Sequence, residues 1–168
     1  TYIQMEPPVP PEMPLALMKE RHKVYIKPED YPKKPLHGRN WENFFVVIER
    51  DAGKVAIIDG DTHEVIDHIN TGYAVHVIKA SEHHNVQHSD EVAGRFWYTQ
   101  GRDGKMTKID LWQKPGSMLV AETQMAYDAR DVAISGDGKY VIGGGYWPPH
   151  FVILDAKTME PLKVVSTR

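Results

Sequence analysis

Residues 44–72 read FFVVIERDAGKVAIIDGDTHEVIDHINTG. A β-branched and aromatic run meets a tight Arg-Asp-Ala-Gly turn. A second run follows and ends at Asp59, and after a polar loop comes a third. Short runs of this composition, bounded by Gly, Asp and Asn, are strand and hairpin signals. The same order returns at 95–124, RFWYTQGRDGKMTKIDLWQKPGSMLVAETQ, and at 139–166, KYVIGGGYWPPHFVILDAKTMEPLKVVS. The closing aspartates are Asp59, Asp110 and Asp155, spaced 51 and 45 residues apart. The longer spacing contains a His-rich insert, Ser81–Val92. Without about ten residues there, the period falls near the 40–45 of a propeller blade.

No segment sustains helical periodicity. The expected fold is all-β, with about three β-propeller blades over residues 42–168. A propeller closes with typically about 4–8 blades, so the chain is expected to belong to a larger protein or to pair with other chains. The first 41 residues read differently. Eight of the twelve prolines fall in the first 35 positions, and MEPPVPPEMP predicts an extended, solvated linker or arm. Within it, ALMKERHKVYI suits a short helix or a strand.

Bulk composition excludes several classes. The 168 residues carry a net charge of −3 and are 41% hydrophobic. That is a globular composition without bulk attraction to nucleic acid or anionic membrane. No run approaches the ~18 apolar residues of a membrane helix. There are no cysteines, which excludes disulfides, thiolate metal sites and covalent CxxCH haem attachment within these residues.

The repeat aligns AVHVIKAS (74–81) with DARDVAIS (128–135). His76 and Arg130 then hold one position, at the start of the innermost strand of successive blades. Arg50, Arg102 and Tyr146 form a second equivalent set, eight or nine residues before the closing aspartates. If both sets flank one central cavity, they present one potential metal ligand, three guanidiniums and a phenol. Guanidinium forks match carboxylates, and a neutral imidazole ligates metals. A metal in a polyanionic macrocycle satisfies both. Residue by residue, other readings stand beside this one. A lone strand histidine is ordinarily a hydrogen-bonded core residue. Arg-Asp-x-Gly is ordinary turn chemistry, and Trp-Pro-Pro is often a rigid corner.

RDAGKVAIIDG, TGYAVH, GRDGKMTKIDLW, DAR and GGYWPPHFVILDAKTMEPLKVVSTR, in this order, resemble the haem d1 domain of the cytochrome cd1 nitrite reductase family. MEPPVPPE and VYIKPEDYPKK resemble the segment that joins that family's cytochrome c domain to its propeller. The resemblance implies an eight-bladed propeller with noncovalent haem d1, in a periplasmic homodimer that reduces nitrite to nitric oxide with electrons from a c-type cytochrome or a cupredoxin. It implies that His76 is the axial ligand of the haem d1 iron, that Arg50, Arg102 and Arg130 pair with the haem carboxylates, and that Tyr146 lines the pocket. The family's catalytic distal histidine pair would lie on later blades, and its haem c site upstream of Thr1. These residues alone are therefore expected to be inactive. Proteins that carry or mature haem d1 share the propeller and remain an alternative, as does a cofactor-free interaction propeller. The HHNVQH insert departs from the family pattern. His83, His84 and His88 there are either a solvated loop or a metal site.

Overall fold

In the computed structural model, which describes residues 8–81 and 92–167, twelve strands form three antiparallel sheets. The first is β2 (Phe44–Glu49), β3 (Lys54–Asp59) and β4 (Glu64–Asn70). The second runs β5 (Val75–Ala80), β6 (Phe96–Gly101), β7 (Lys105–Asp110) and β8 (Leu119–Gln124), with β1 (His22–Val24) added beyond β8. The third runs β9 (Ala129–Ile134), β10 (Tyr140–Gly145), β11 (His150–Asp155) and β12 (Pro161–Ser166). These are propeller blades, and every strand expected from 44 onward is present.

Alternating side chains fill the spaces between sheets. Phe96, Tyr98, Met106 and Ala121 of the second sheet meet Val132, Val141, Val152 and Leu154 of the third. On the other face, Ile109, Leu111 and Met118 meet Phe44, Val55, Ile57 and Ile69 of the first. A fully buried side chain of this kind contributes about 1.5–3 kcal/mol, so these two interblade layers hold the stack. The outward faces stay open: Phe45 and Val47 on β2 are 60% and 43% exposed, and Leu162 on β12 is 42% exposed.

The repeated aspartates organise equivalent turns. Asp59 accepts the N–H groups of Asp61 and Thr62, Asp110 that of Trp112, and Asp155 those of Lys157 and Thr158. Each closes the turn between the second and third runs of its repeat, as Asx turns do. The Arg39 guanidinium, with those two N–H groups, holds the Asp59 carboxyl below the usual carboxylate range.

The stretch read as a solvated arm is tied to the blades from Met13 onward. Met13 and Met18, the latter on a short helix α1 (Leu15–Glu20), are buried in the layer between the second and third sheets. β1 then pairs with β8, His22 opposite Thr123 and Val24 opposite Ala121. Further along, the Leu36 N–H donates to the Trp112 carbonyl, and the Tyr31 ring packs on Phe96. Within the described part of MEPPVPPEMP, residues 8–14 form no helix or strand and only Met13 is buried. Among the described residues no helix is long and apolar enough to cross a membrane.

Candidate functional site

Strand direction decides whether the two residue sets meet. β5 begins at Val75, which sits opposite Gly101 at the end of β6. β9 begins at Ala129, opposite Gly145 at the end of β10. The start of each inner strand and the turn after the second strand therefore share one rim. Backbone hydrogen bonds line that rim, three within single sheets and one, from Ala129 to Arg102, between the third sheet and the second. The Thr71 N–H donates to the Gly53 carbonyl at 3.0 Å. The Arg102 N–H donates to Tyr73 at 3.0 Å, the Ala129 N–H to Arg102 at 3.3 Å, and the Tyr146 N–H to Asp128 at 2.9 Å.

All five residues singled out by the repeat lie on or next to this rim. Arg50 opens the turn between β2 and β3, exposed, with its guanidinium 2.9 Å from the carboxylate of neighbouring Asp51. Arg102 begins the turn after β6, and its Nε lies 4.0 Å from Asp128. Arg130 is the second residue of β9 and exposed. Its guanidinium carbon lies 4.7 Å from the centroid of the Tyr146 ring, and that tyrosine is 59% exposed. His76 is the second residue of β5 and exposed. Among the described residues it has no hydrogen-bond or ion-pair partner, so it is not a satisfied core histidine. The structure thus brings Arg130 and Tyr146 into contact and links Arg102 to the entry of β9. His76 and Arg50 join them through the rim rather than by touching.

The anion-binding capacity of this rim is largely uncommitted. No carboxylate among the described residues pairs with Arg130, and Arg50 and Arg102 face exposed or half-exposed partners, where such pairs contribute little. Four buried polar atoms at the same rim have no hydrogen-bond partner among the described residues: Thr71 Oγ1, Gln100 Oε1, Asp128 Oδ1 and His150 Nε2. Buried polar atoms are ordinarily satisfied, so a wet or ligand-filled neighbourhood is indicated. No group of three or more His, Cys, Asp or Glu among the described residues could hold a metal by itself. The rim instead offers one imidazole and several guanidiniums, which suits a metal that arrives already chelated in an anionic frame. His83, His84 and His88 lie outside the described residues.

Two tyrosines escaped the sequence reading. Tyr73 and Tyr127, 62% and 53% exposed, each stand three residues before His76 and Arg130. Extending the same alignment upstream would have found them. A cavity of about 840 Å³ opens at the opposite rim, beside Tyr31, Arg95, Trp112, Lys139 and Lys157. Its arginine is already committed to Asp110.

The family model described as Cytochrome D1 heme domain matches residues 39–168. A nitrite reductase of Stutzerimonas stutzeri is 43% identical over 99% of the chain and 29% of its own length. A dihydro-heme d1 dehydrogenase of Pseudomonas aeruginosa is 33% identical over 80% of the chain and 25% of its own length. Among solved structures, dihydro-heme d1 dehydrogenase NirN in complex with DHE superposes with a TM-score of 0.79 at 28% identity, over 96% of the chain and 32% of that structure. The chain spans less than a third of the length of these relatives.

Proposed function

The chain belongs to the cytochrome D1 haem domain family, and from that premise we propose that it forms the proximal side of the haem d1 pocket in a nitrite reductase that makes nitric oxide. The observation that carries the reading is the shared rim: an exposed imidazole, His76, on one inner strand, with Arg130 at the same position of the next and Arg50, Arg102 and Tyr146 in the adjoining turns. The 43% identity to a nitrite reductase over nearly the whole chain supports it.

The donor set fits haem d1. His76 would ligate the iron through a neutral ring nitrogen. Arg50, Arg102 and Arg130 would hold the peripheral carboxylates, and charge-assisted bonds of this type are the strong ones. Tyr146, stacked on Arg130, would fix that guanidinium in the plane its carboxylate needs and cover one side of the pocket. When bound, haem d1 supplies a redox-active iron at which nitrite, one electron and two protons give nitric oxide and water. This chain's residues bind and orient. The proton-delivering distal histidines, the haem c that feeds electrons, and the docking of a cytochrome c or cupredoxin donor belong to other parts of the proposed protein. A periplasmic homodimer is part of the same proposal.

The test is an absorption spectrum of the full-length protein incubated with haem d1, beside His76→Ala, followed by nitrite turnover with a reduced donor. The reading expects a bound chromophore, ligand bands altered in the variant, and nitric oxide production by the wild type. Binding without turnover, together with oxidation of dihydro-haem d1, would favour a maturation role. The 33% identity and the 0.79 superposition with dihydro-heme d1 dehydrogenases support that second reading. No chromophore in a folded protein would remove both.

A further inference from the structure

The chain enters β5 through an unusual corner. Gly72 has φ +98° and Ala74 φ +50°. Ala74 is fully buried, and an alanine in the left-handed region is strained. Such strain persists where the surroundings over-determine the backbone, and it gathers at functional sites. Here the surroundings are identifiable. The Tyr73 N–H donates to Asp103 Oδ2 at 2.8 Å, and the Lys105 N–H donates to Asp103 Oδ1 at 3.2 Å. In return the Arg102 N–H donates to the carbonyls of Tyr73 and Ala74, at 3.0 and 3.3 Å. From the other side, the Thr71 N–H is held by Gly53.

Two glycines leave room for this carboxylate. A Cβ on Gly72 would meet Asp103 Oδ2 at 2.7 Å, and one on Gly101 would meet Oδ1 at 2.5 Å. The equivalent aspartate of the preceding repeat, Asp51, is turned to its own neighbour Arg50. So the clamp belongs to the blade whose inner strand carries His76.

We propose that Asp103 is a positioning residue for His76: its carboxylate pins the Gly72–Ala74 corner to the β6–β7 turn and so fixes where the second residue of β5 presents its imidazole. The same turn carries Arg102, so one carboxylate sets the spacing between the imidazole and a guanidinium of the rim. This rests on the reading of His76 as the haem d1 ligand.

The test uses the full-length protein as wild type, Asp103→Ala, Asp103→Asn and His76→Ala. Hydrogen exchange of the segment 71–75 is measured without haem, and ligand bands and dissociation constant are measured with haem d1. Asp103→Ala should speed exchange at 71–75, move the bands toward those of His76→Ala and weaken haem d1 binding about tenfold. Asp103→Asn keeps one acceptor oxygen and should fall between wild type and Asp103→Ala. Wild-type bands and affinity in both Asp103 variants would overturn the proposal, even if their thermal stability fell. Should Asp103→Ala not fold, wild-type bands and exchange in Asp103→Asn would overturn it equally. Identical spectra for wild type and His76→Ala would instead refute the ligand reading, and the exchange data would still decide whether the clamp exists.

Discussion

The Arg130 guanidinium carbon lies 4.7 Å from the centroid of the Tyr146 ring. The contact follows from strand register. Ala129 pairs with Gly145 across a bulge, so the next residue of β9 and the residue after β10 emerge side by side. A ring face attracts a guanidinium and restricts its plane, which prepares Arg130 for a flat, bidentate carboxylate. Arg130→Ala should therefore weaken haem d1 binding by the full-length protein about 10–100-fold, the range of a charge-assisted hydrogen bond of about 1.5–3 kcal/mol. Tyr146→Phe keeps the ring and should cost less than threefold, while Tyr146→Ala should fall between. Titration of each variant with haem d1 measures this. Equal affinity for wild type and Arg130→Ala would exclude a carboxylate contact at Arg130.

The Arg130–Tyr146 contact was legible only in part. The repeat put Arg130 level with His76 and Tyr146 level with Arg50 and Arg102, because strand period and turn chemistry are local signals. That the two sets share a rim depends on antiparallel pairing within each blade, which the hairpins imply. Partner choice was not legible. Asp51 and Asp103 occupy the same place in one motif, yet one binds its neighbouring arginine and the other the backbone of residue 73. ALMKERHKVYI reads as a short helix or a strand and holds both, α1 and β1; what was not legible is that His-Lys-Val pairs with the edge of β8. Arg95 and Asp110, fifteen residues apart, meet because Phe96, the first residue of β6, pairs with Asp110 at the end of β7.

Anchoring of the arm is testable through Met18, fully buried between the second and third blades. Truncating a buried methionine costs about 2–5 kcal/mol. Met18→Ala should lower the unfolding free energy by that amount in urea titrations and accelerate hydrogen exchange of 13–24 more than that of β10 or β11. A loss below about 0.5 kcal/mol would mean the arm is dispensable to the blades.

Arg95 and Asp110 make a buried bidentate pair, Nε to Oδ1 and Nη2 to Oδ2 both at 2.8 Å. The guanidinium lies between Trp112, at 4.1 Å, and Phe96, at 4.7 Å. Removing one partner strands a buried charge, at about 3–5 kcal/mol. Arg95→Met should show that loss. The double variant Arg95→Met with Asp110→Asn should recover part of it, because the asparagine can still accept the Trp112 N–H. A double variant as unstable as the sum of the two single changes would show that the pair is not coupled.

Asp137 gives the fold a dependence on acid. It sits in the turn between β9 and β10, where the Ser135 hydroxyl donates to Oδ1 at 2.7 Å and the Lys139 N–H donates at 3.1 Å. The Ser135 hydroxyl first, and then the Lys139 N–H, hold its carboxyl at about 2, against an ordinary 3.8. Between those values the unfolded chain binds the proton and the folded chain does not, so stability rises with pH there. The contribution is complete above about 4 and disappears as the pH falls to about 2. Asp137→Asn cannot titrate. The difference in unfolding midpoint between wild type and this variant should be constant from pH 7 to 5 and shrink by pH 3. The Ser135 bond is the largest cause, so Ser135→Ala should remove much of the same pH-dependent difference, and 0.5 M salt should remove only the smaller share owed to the Lys139 ammonium at 3.4 Å. A difference that stays the same at pH 6 and pH 3 would mean the carboxylate is no better held in the folded turn than in the unfolded chain.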